Sequence, residues 1–100
     1  MKFVFICSPL RGNLAGNIAK AEAYCLEATK EGVIPFAPHI YFTRFLDDTD
    51  PEQRLLGMHM GIEMLKICQE IWVYGEPSEG MKQEVEIAEK LGIRKIIKGV

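Results

Sequence analysis

Two short segments hold the residues with the most chemistry to offer. Over residues 81–91, a helical turn of about 100° per residue gathers Met81, Val85, Ala88 and Leu91 on one face, and Glu84 falls inside that face. Lys82, Glu86, Glu89 and Lys90 fall on the other side. A carboxylate turned toward a core is costly unless it is hydrogen-bonded, ion-paired or set in the wall of a polar cavity. Glu84 is therefore a group at the edge of the face, an ion-pair partner of Arg11, or a reactive site carboxylate. The second segment is Ser8-Pro9-Leu10-Arg11-Gly12-Asn13. A turn from a strand into a helix offers backbone N–H groups and a positive dipole end to an anion, and Arg11 adds a forked cation. The plainer reading is an ordinary turn with a solvated arginine, since neither a GxGxxG pattern nor a Walker lysine is present. Ser78 opens the 81–91 helix as an N-cap, and its hydroxyl with the following N–H groups is equally suited to a phosphate.

A third group follows the second apolar run: His39, Tyr41, Phe42, Arg44, Asp47 and Asp48. A lone histidine without an HxxxH pattern or a nearby cysteine is expected to be packed or hydrogen-bonded, not a metal ligand. Tyr41 and Phe42 suit either the core or a stacked base. Asp47 and Asp48 could bind ribose hydroxyls, or simply make a turn. No metal or cofactor is expected. Cys7, Cys25 and Cys68 are odd in number, widely spaced and set among apolar residues, which suits buried thiols in a reducing cytoplasm.

These residues need a scaffold, and the order of apolar runs supplies one. Lys2–Cys7 is apolar without alternation, as in a central strand covered on both faces. Asn13 caps a helix to about Glu31, closed by Gly32; Val33–Ala37 is a second strand, placed at a sheet edge by Pro35 and ended by Pro38-His39. A short helix and loop over 40–50 lead into a helix from Pro51 to Cys68. Ile71–Gly75 is a third strand, Met81–Leu91 a helix ended by Gly92, and Arg94–Lys98 a last strand. Strands alternating with helices imply parallel pairing by right-handed crossovers, hence an α/β three-layer sandwich, flavodoxin- or Rossmann-like, with about four strands. Ligands of such sheets bind past the carboxyl ends of the strands, where Ser8–Asn13, Pro38–Asp48 and Gly75–Gly80 fall.

The 51–68 helix is apolar on two sides. Leu55, Met58, Ile62 and Leu65 form one stripe and Leu56, Met60, Met64 and Ile67 another, with Gly57 and Gly61 between them. One stripe covers the sheet. The other is covered either by the same helix of a second subunit, giving a homo-oligomer in which the glycines permit close approach, or by the aromatic loop Ile40–Leu46.

Composition narrows the function classes. One hundred residues, 48% apolar and 26% charged, describe one small domain, residues 1–100, with a thin core. Twelve basic against fourteen acidic residues and no basic run disfavour a surface that tracks a nucleic acid polymer. No apolar run is long enough to span a membrane, and the N-terminal one stops at Ser8-Pro9, as a buried strand does and a signal peptide does not.

Taken together, three segments resemble the nucleoside 2-deoxyribosyltransferase-like superfamily, and within it a group of short members common in bacteria and phages. They are Ile6–Asn13, then Pro35–Phe42 with Phe45-Leu46-Asp47-Asp48, and Ile71–Gly75 followed by Ser78–Ala88. The resemblance covers almost the whole chain. It implies a nucleophile at the glutamate of a Gly-x-x-x-Glu-x-x-x-Ala helix start, which here is Glu84, with Gly80 and Ala88 flanking it. By that resemblance Glu84 attacks C1′ of a nucleoside or nucleotide as the base leaves, in the manner of a retaining glycosidase. Ser8, Arg11, Gly12 and Asn13 are similar to the part that holds the sugar or 5′-phosphate, and Ser78 to the serine that binds phosphate in the monophosphate-hydrolysing branch, with Gly80 and Met81 as implied substrate contacts beside it. His39, Tyr41, Asp47 and Asp48 complete the implied site. One departure is plain: many relatives read Cys-Asp where this chain has Cys68-Gln69-Glu70, and Asp47 or Asp48 is the available substitute. The implied function is binding and cleavage of the N-glycosidic bond of a (deoxy)nucleoside or its monophosphate. The alternative is binding without cleavage of a nucleotide-derived, ADP-ribose-like signalling molecule.

Overall fold

The computed structural model describes residues 1–99. Its elements run β1 (Phe3–Cys7), α1 (Leu14–Thr29), β2 (Ile34–Phe36), α2 (Pro38–Phe42), α3 (Pro51–Lys66), β3 (Glu70–Tyr74), α4 (Glu79–Lys90) and β4 (Arg94–Gly99). The four strands form one parallel sheet in the order β2-β1-β3-β4. The expected α/β sandwich is present. β1 shares the centre with β3, and β2, with Pro35 in it, lies at an edge where the missing N–H costs no ladder bond.

The two central strands alternate between two cores. Val4, Ile6, Trp72 and Tyr74 point to the side of α1, where Ala21 and Ala28 let the helix lie close. Phe5, Cys7, Ile71 and Val73 point to the other side, against Leu65 of α3 and Met81 and Ala88 of α4. Tyr24 of α1 stacks on Tyr74 with ring centroids 4.1 Å apart, adding an aromatic contact to the first core. Below the sheet centre, the buried Glu70 carboxylate accepts from Trp72 Nε1 and from Lys2 Nζ, each at 2.8 Å, which holds it below the usual carboxylate range.

Because α1 covers one face and α3 and α4 the other, the parallel strands are added outward in opposite directions, from β1 to β2 and from β3 to β4, and the winding reverses between β1 and β3. The crevice of an open parallel sheet forms beyond that reversal, and Ser8 and Gly75 stand there.

Three local readings are corrected. α2 starts at Pro38 itself, because proline suits the first helical turn as well as it suits a strand end, so His39 lies within a helix. α4 starts at Glu79, ahead of Met81, because the Ser78 hydroxyl accepts from Met81 N at 3.3 Å and draws the first turn into the helix. Leu91, expected on the inner face, is the exposed C-cap of α4, and the half-buried Ile87 packs against the core instead.

The glycines of α3 are also reassigned. A Cβ on Gly57 would lie 3.4 Å from Leu46, and one on Gly61 3.6 Å from Pro38. Within the chain their close approach serves α2 and the loop that follows it. Only the C-terminal half of α3 reaches the sheet, through the fully buried Leu65 and the partly buried Ile62. Its N-terminal half stands off, leaving Leu55 and Met58 about half exposed. Among the described residues no helix is long and apolar enough to cross a membrane.

Candidate functional site

The gap under the raised half of α3 is a cavity of about 510 Å³ at the carboxyl ends of β1 and β3. Its volume is within the range of small-molecule sites. The β1–α1 turn contributes Ser8 and Arg11, α2 His39 and Phe42, the next loop Asp48, α3 Arg54 and Met58, and α4 Ser78, Met81 and Glu84.

Glu84 is placed by α4 one turn after the buried Met81, so helical phase carries its carboxyl to the inner side of the cavity. Its Oε1 accepts from the Cys7 thiol at 3.3 Å. Burial pushes the Glu84 carboxyl up to about 7, with the thiol's hydrogen bond opposing the shift. At neutral pH this group exchanges between a proton acceptor and a proton donor, which is the range useful for acid–base or nucleophilic work. The ion pair with Arg11 that its sequence position allowed is not formed among the described residues. Arg11 Nε instead faces Asp48 Oδ2 at 3.8 Å, a loose and largely solvated pair.

Ser8 is buried at the end of β1, and its Oγ is without a hydrogen-bond partner among the described residues. Its carbonyl lies 2.6 Å from His39 Nε2, so that nitrogen carries the proton. Burial lowers the His39 pKa, opposed by the Ser8 bond and by Asp48, and the ring is neutral near pH 7. The expectation of a hydrogen-bonded histidine holds in this geometry. Among the described residues no three His, Cys, Asp or Glu side chains converge to hold a metal ion.

The turns beneath the cavity are pressed together. Asn17 Nδ2 donates to the carbonyls of Leu10 at 2.9 Å and Arg11 at 3.3 Å, tying the β1–α1 turn to α1. Gly75, at φ +76°, begins the β3–α4 turn, and a Cβ there would lie 3.3 Å from Pro9 Cδ. Gly75→Ala is expected to cost about 2 kcal/mol, from the left-handed backbone and the crowding of Pro9 together. Urea denaturation measures the loss, and a value within 0.5 kcal/mol of zero would show that the two turns move apart freely.

A family model described as a domain of unknown function, DUF7768, matches residues 2–97. The chain belongs to the DUF7768 family. No curated protein matches the sequence. Among solved structures, the DUF7768 chain is similar to a 2-deoxyribosyltransferase from the psychrotolerant bacterium Bacillus psychrosaccharolyticus, with a TM-score of 0.72 and 16% identity over 97% of this chain and 72% of that one. It is also similar to a 2-deoxyribosyltransferase from Leishmania mexicana, with a TM-score of 0.71 and 18% identity over 99% of this chain and 65% of that one. At this level of identity the likeness establishes the deoxyribosyltransferase-like fold.

In this DUF7768 domain the residues singled out from the sequence divide into three sets. Ser8, Arg11, His39, Asp48, Ser78, Gly80, Met81 and Glu84 line the one cavity. Gly12 and Asp47 line a neighbouring, more open cavity of about 480 Å³, which shares Arg11 and Asp48 with the first. The Asp47 carboxylate is committed to its own turn, accepting from Thr49 N at 2.9 Å and Thr49 Oγ1 at 2.6 Å. Asn13 and Tyr41 line neither cavity. Asn13 Oδ1 caps α1 by accepting from Gly16 N at 3.2 Å, and the exposed Tyr41 packs edge-on against Phe42 and Phe45. Phe42 is the aromatic ring that reaches the cavity.

Two contributors escaped the sequence reading. Arg54 was legible in principle, because about 100° per residue puts it on the arc of Gly61 and Leu65 that turns inward. Cys7 could not be found that way, since its bond to Glu84 spans 77 positions.

Proposed function

We propose that this domain binds a nucleoside or nucleoside monophosphate in the 510 Å³ cavity and cleaves its N-glycosidic bond through Glu84. The observation that carries this reading is the Glu84 carboxyl itself: desolvated to a pKa of about 7, bonded on one oxygen only among the described residues, and set in the wall of a cavity that Phe42, Leu46, Met58 and Ile62 also line. The ionised carboxylate attacks C1′ as the C1′–N bond breaks, and the bonding pair leaves with the base. The base takes a proton from solvent, relayed at Asp48, which is available because Asp47 is held by Thr49. Water then attacks C1′, the ester bond breaks back to the Glu84 carboxylate, and the water's second proton returns to solvent. The sum is nucleoside plus water giving free base plus sugar.

The α4 N-terminus supports a 5′-phosphate. Ser78 Oγ satisfies Met81 N, which leaves the N–H groups of Glu79 and Gly80 to the first turn's positive end. Ser8 Oγ, buried and unpartnered among the described residues, supplies a further donor on the same wall. Arg11→Ala is expected to weaken a monophosphate by about tenfold to a hundredfold, and an unphosphorylated nucleoside far less, as measured by titration calorimetry. Equal losses for both ligands would remove Arg11 from the phosphate.

The direct experiment incubates the protein with a panel of deoxynucleosides and their monophosphates. Free base should be released, and acid-quenched protein should carry one deoxyribosyl group on Glu84 by mass. A panel that binds and stays intact overturns the cleavage reading.

The neighbouring cavity favours a second reading. Two cavities joined at Arg11, Thr43, Leu46 and Asp48 offer room for a two-part, ADP-ribose-like ligand held without cleavage. Recovery of such a ligand intact after denaturation would establish it. Three unpaired cysteines support a reducing cytoplasmic setting. The half-exposed Leu56 and Ile67 on the outer side of α3 support self-association there, which sedimentation would detect.

A further inference from the structure

Cys7 is the last residue of β1, opposite Val73 in the sheet register, and its side chain is fully buried beneath α4. A small apolar residue would fill that place equally well. The thiol instead lies 3.3 Å from Glu84 Oε1, with the carbonyl of Met81 as a second, weaker acceptor at 3.8 Å. We propose that Cys7 is the positioning residue of this site: its S–H donates to Glu84 Oε1, fixes the carboxyl plane, and presents Oε2 to the cavity. The inference rests on the reading of Glu84 as the reacting group.

The chemistry of the pair favours a donor over a redox or nucleophilic thiol. Burial, followed by the nearby Glu84 carboxylate, raises the Cys7 pKa far above the ordinary thiol value, so sulfur keeps its proton throughout the working range. A thiol cannot compete with Glu84 for charge. It is also a weaker donor than a hydroxyl, so it orients the carboxylate without stabilising it enough to cancel the cost of burial. Oε2 has no protein hydrogen bond among the described residues, and is left for the ligand.

Other charged and titratable groups border the same cavity: Arg11 from the β1–α1 turn, His39 from α2, Asp48 from the loop, Arg54 and His59 from α3, and Glu79 from α4. They are common to the protein and its Cys7 variants. Differences between these proteins therefore isolate the thiol.

The test is a carbon-13 NMR titration of the Glu84 carboxyl in the unliganded protein, in Cys7→Ala and in Cys7→Ser. Removal of the donor in Cys7→Ala should raise the Glu84 midpoint, and the stronger hydroxyl donor of Cys7→Ser should lower it, each by about threefold or more in ionisation constant. The pH profile of base release should move in step. Above all three midpoints, Cys7→Ala should lose about tenfold in kcat with little change in KM, and Cys7→Ser should recover most of it. A Glu84 midpoint that is the same in all three proteins overturns the proposal, whether or not the protein turns over. Full base release by Glu84→Gln overturns the nucleophile reading instead, so the two failures are distinct. Either variant alone, folded by near-ultraviolet circular dichroism, decides the matter.

Discussion

Glu84→Gln should abolish base release and at the same time make the protein more stable at neutral pH. Glutamine keeps the shape and the hydrogen bond with Cys7 but has no anionic oxygen to attack C1′. Loss of a covalent nucleophile is felt on a scale of roughly 10⁴- to 10⁶-fold in kcat, with binding of the nucleoside largely retained. The stability effect follows from the raised carboxyl. Glu84 ionises at about 7 when folded against 4.5 for an unperturbed glutamate, so between these values the folded protein binds more protons than the unfolded chain. The contribution is fully present below pH 4.5, is lost as pH rises, and is gone above about pH 7. A shift of that size corresponds to about 3 kcal/mol. Glutamine carries no ionisation cost, so the variant should gain up to about 3 kcal/mol over the parent at pH 8 and nothing at pH 4. Paired urea titrations at the two pH values measure the difference and cancel the other carboxylates. A gain that is equal at both would mean that Glu84 titrates normally and that the cavity wall is wet. Loss of function with gain of stability is the signature of a group kept for chemistry.

Leu65→Ala should have the largest effect on the fold. Leu65 is fully buried among Phe5, Ile71 and Met81, and it is the main anchor of α3 on the sheet. Truncation removes the transfer energy of the lost methyl groups and leaves a void that the flanking strand and helix cannot close, at a cost of about 2–5 kcal/mol. For a chain of this size, whose total stability is about 5–15 kcal/mol, that lowers the melting temperature by roughly ten to forty degrees. The consequence extends to the site. With the N-terminal half of α3 already off the sheet, loosening Leu65 frees the wall that holds Arg54 and Met58. Ligand affinity should therefore fall even where the variant is still folded, and calorimetry below the melting transition tests this. Leu56→Ala is the contrast: Leu56 is 49% exposed, and its truncation should cost less than about 1 kcal/mol. If both variants were equally mild, α3 would be held by its α2 contacts and not by the sheet.

Much of the fold was legible because its signals are local. β1 and β3 are apolar without alternation because both faces of a central parallel strand are covered, and Pro35 marks an edge because it lacks an N–H. Asn13 and Ser78 announced their helices by capping chemistry. Glu84 was found by phase alone, since helical geometry dictates the direction of a side chain from its neighbours' spacing.

What phase does not contain is distance. The two apolar stripes of α3 are equally visible in the sequence, but only the packing of Gly57 on Leu46 and Gly61 on Pro38 shows how the helix is tilted, with half of one stripe on the core and half over a cavity. The same holds for Tyr41 and Phe42, adjacent aromatics that a short helix sends to opposite fates: one to solvent, one to the cavity.

By itself, then, the sequence determined the element order, the parallel sheet, the inward direction of Glu84 and the three segments that meet at the strand ends. Only the tertiary structure decided that α3 stands off to open a cavity, that His39 is spent on the Ser8 carbonyl, that Arg11 faces Asp48, and that the Cys7 thiol donates to the Glu84 carboxyl. The division is physical. Backbone hydrogen bonding and side-chain periodicity act over a few residues and are written in consecutive positions, whereas desolvation and pairing depend on groups brought together from anywhere in the chain.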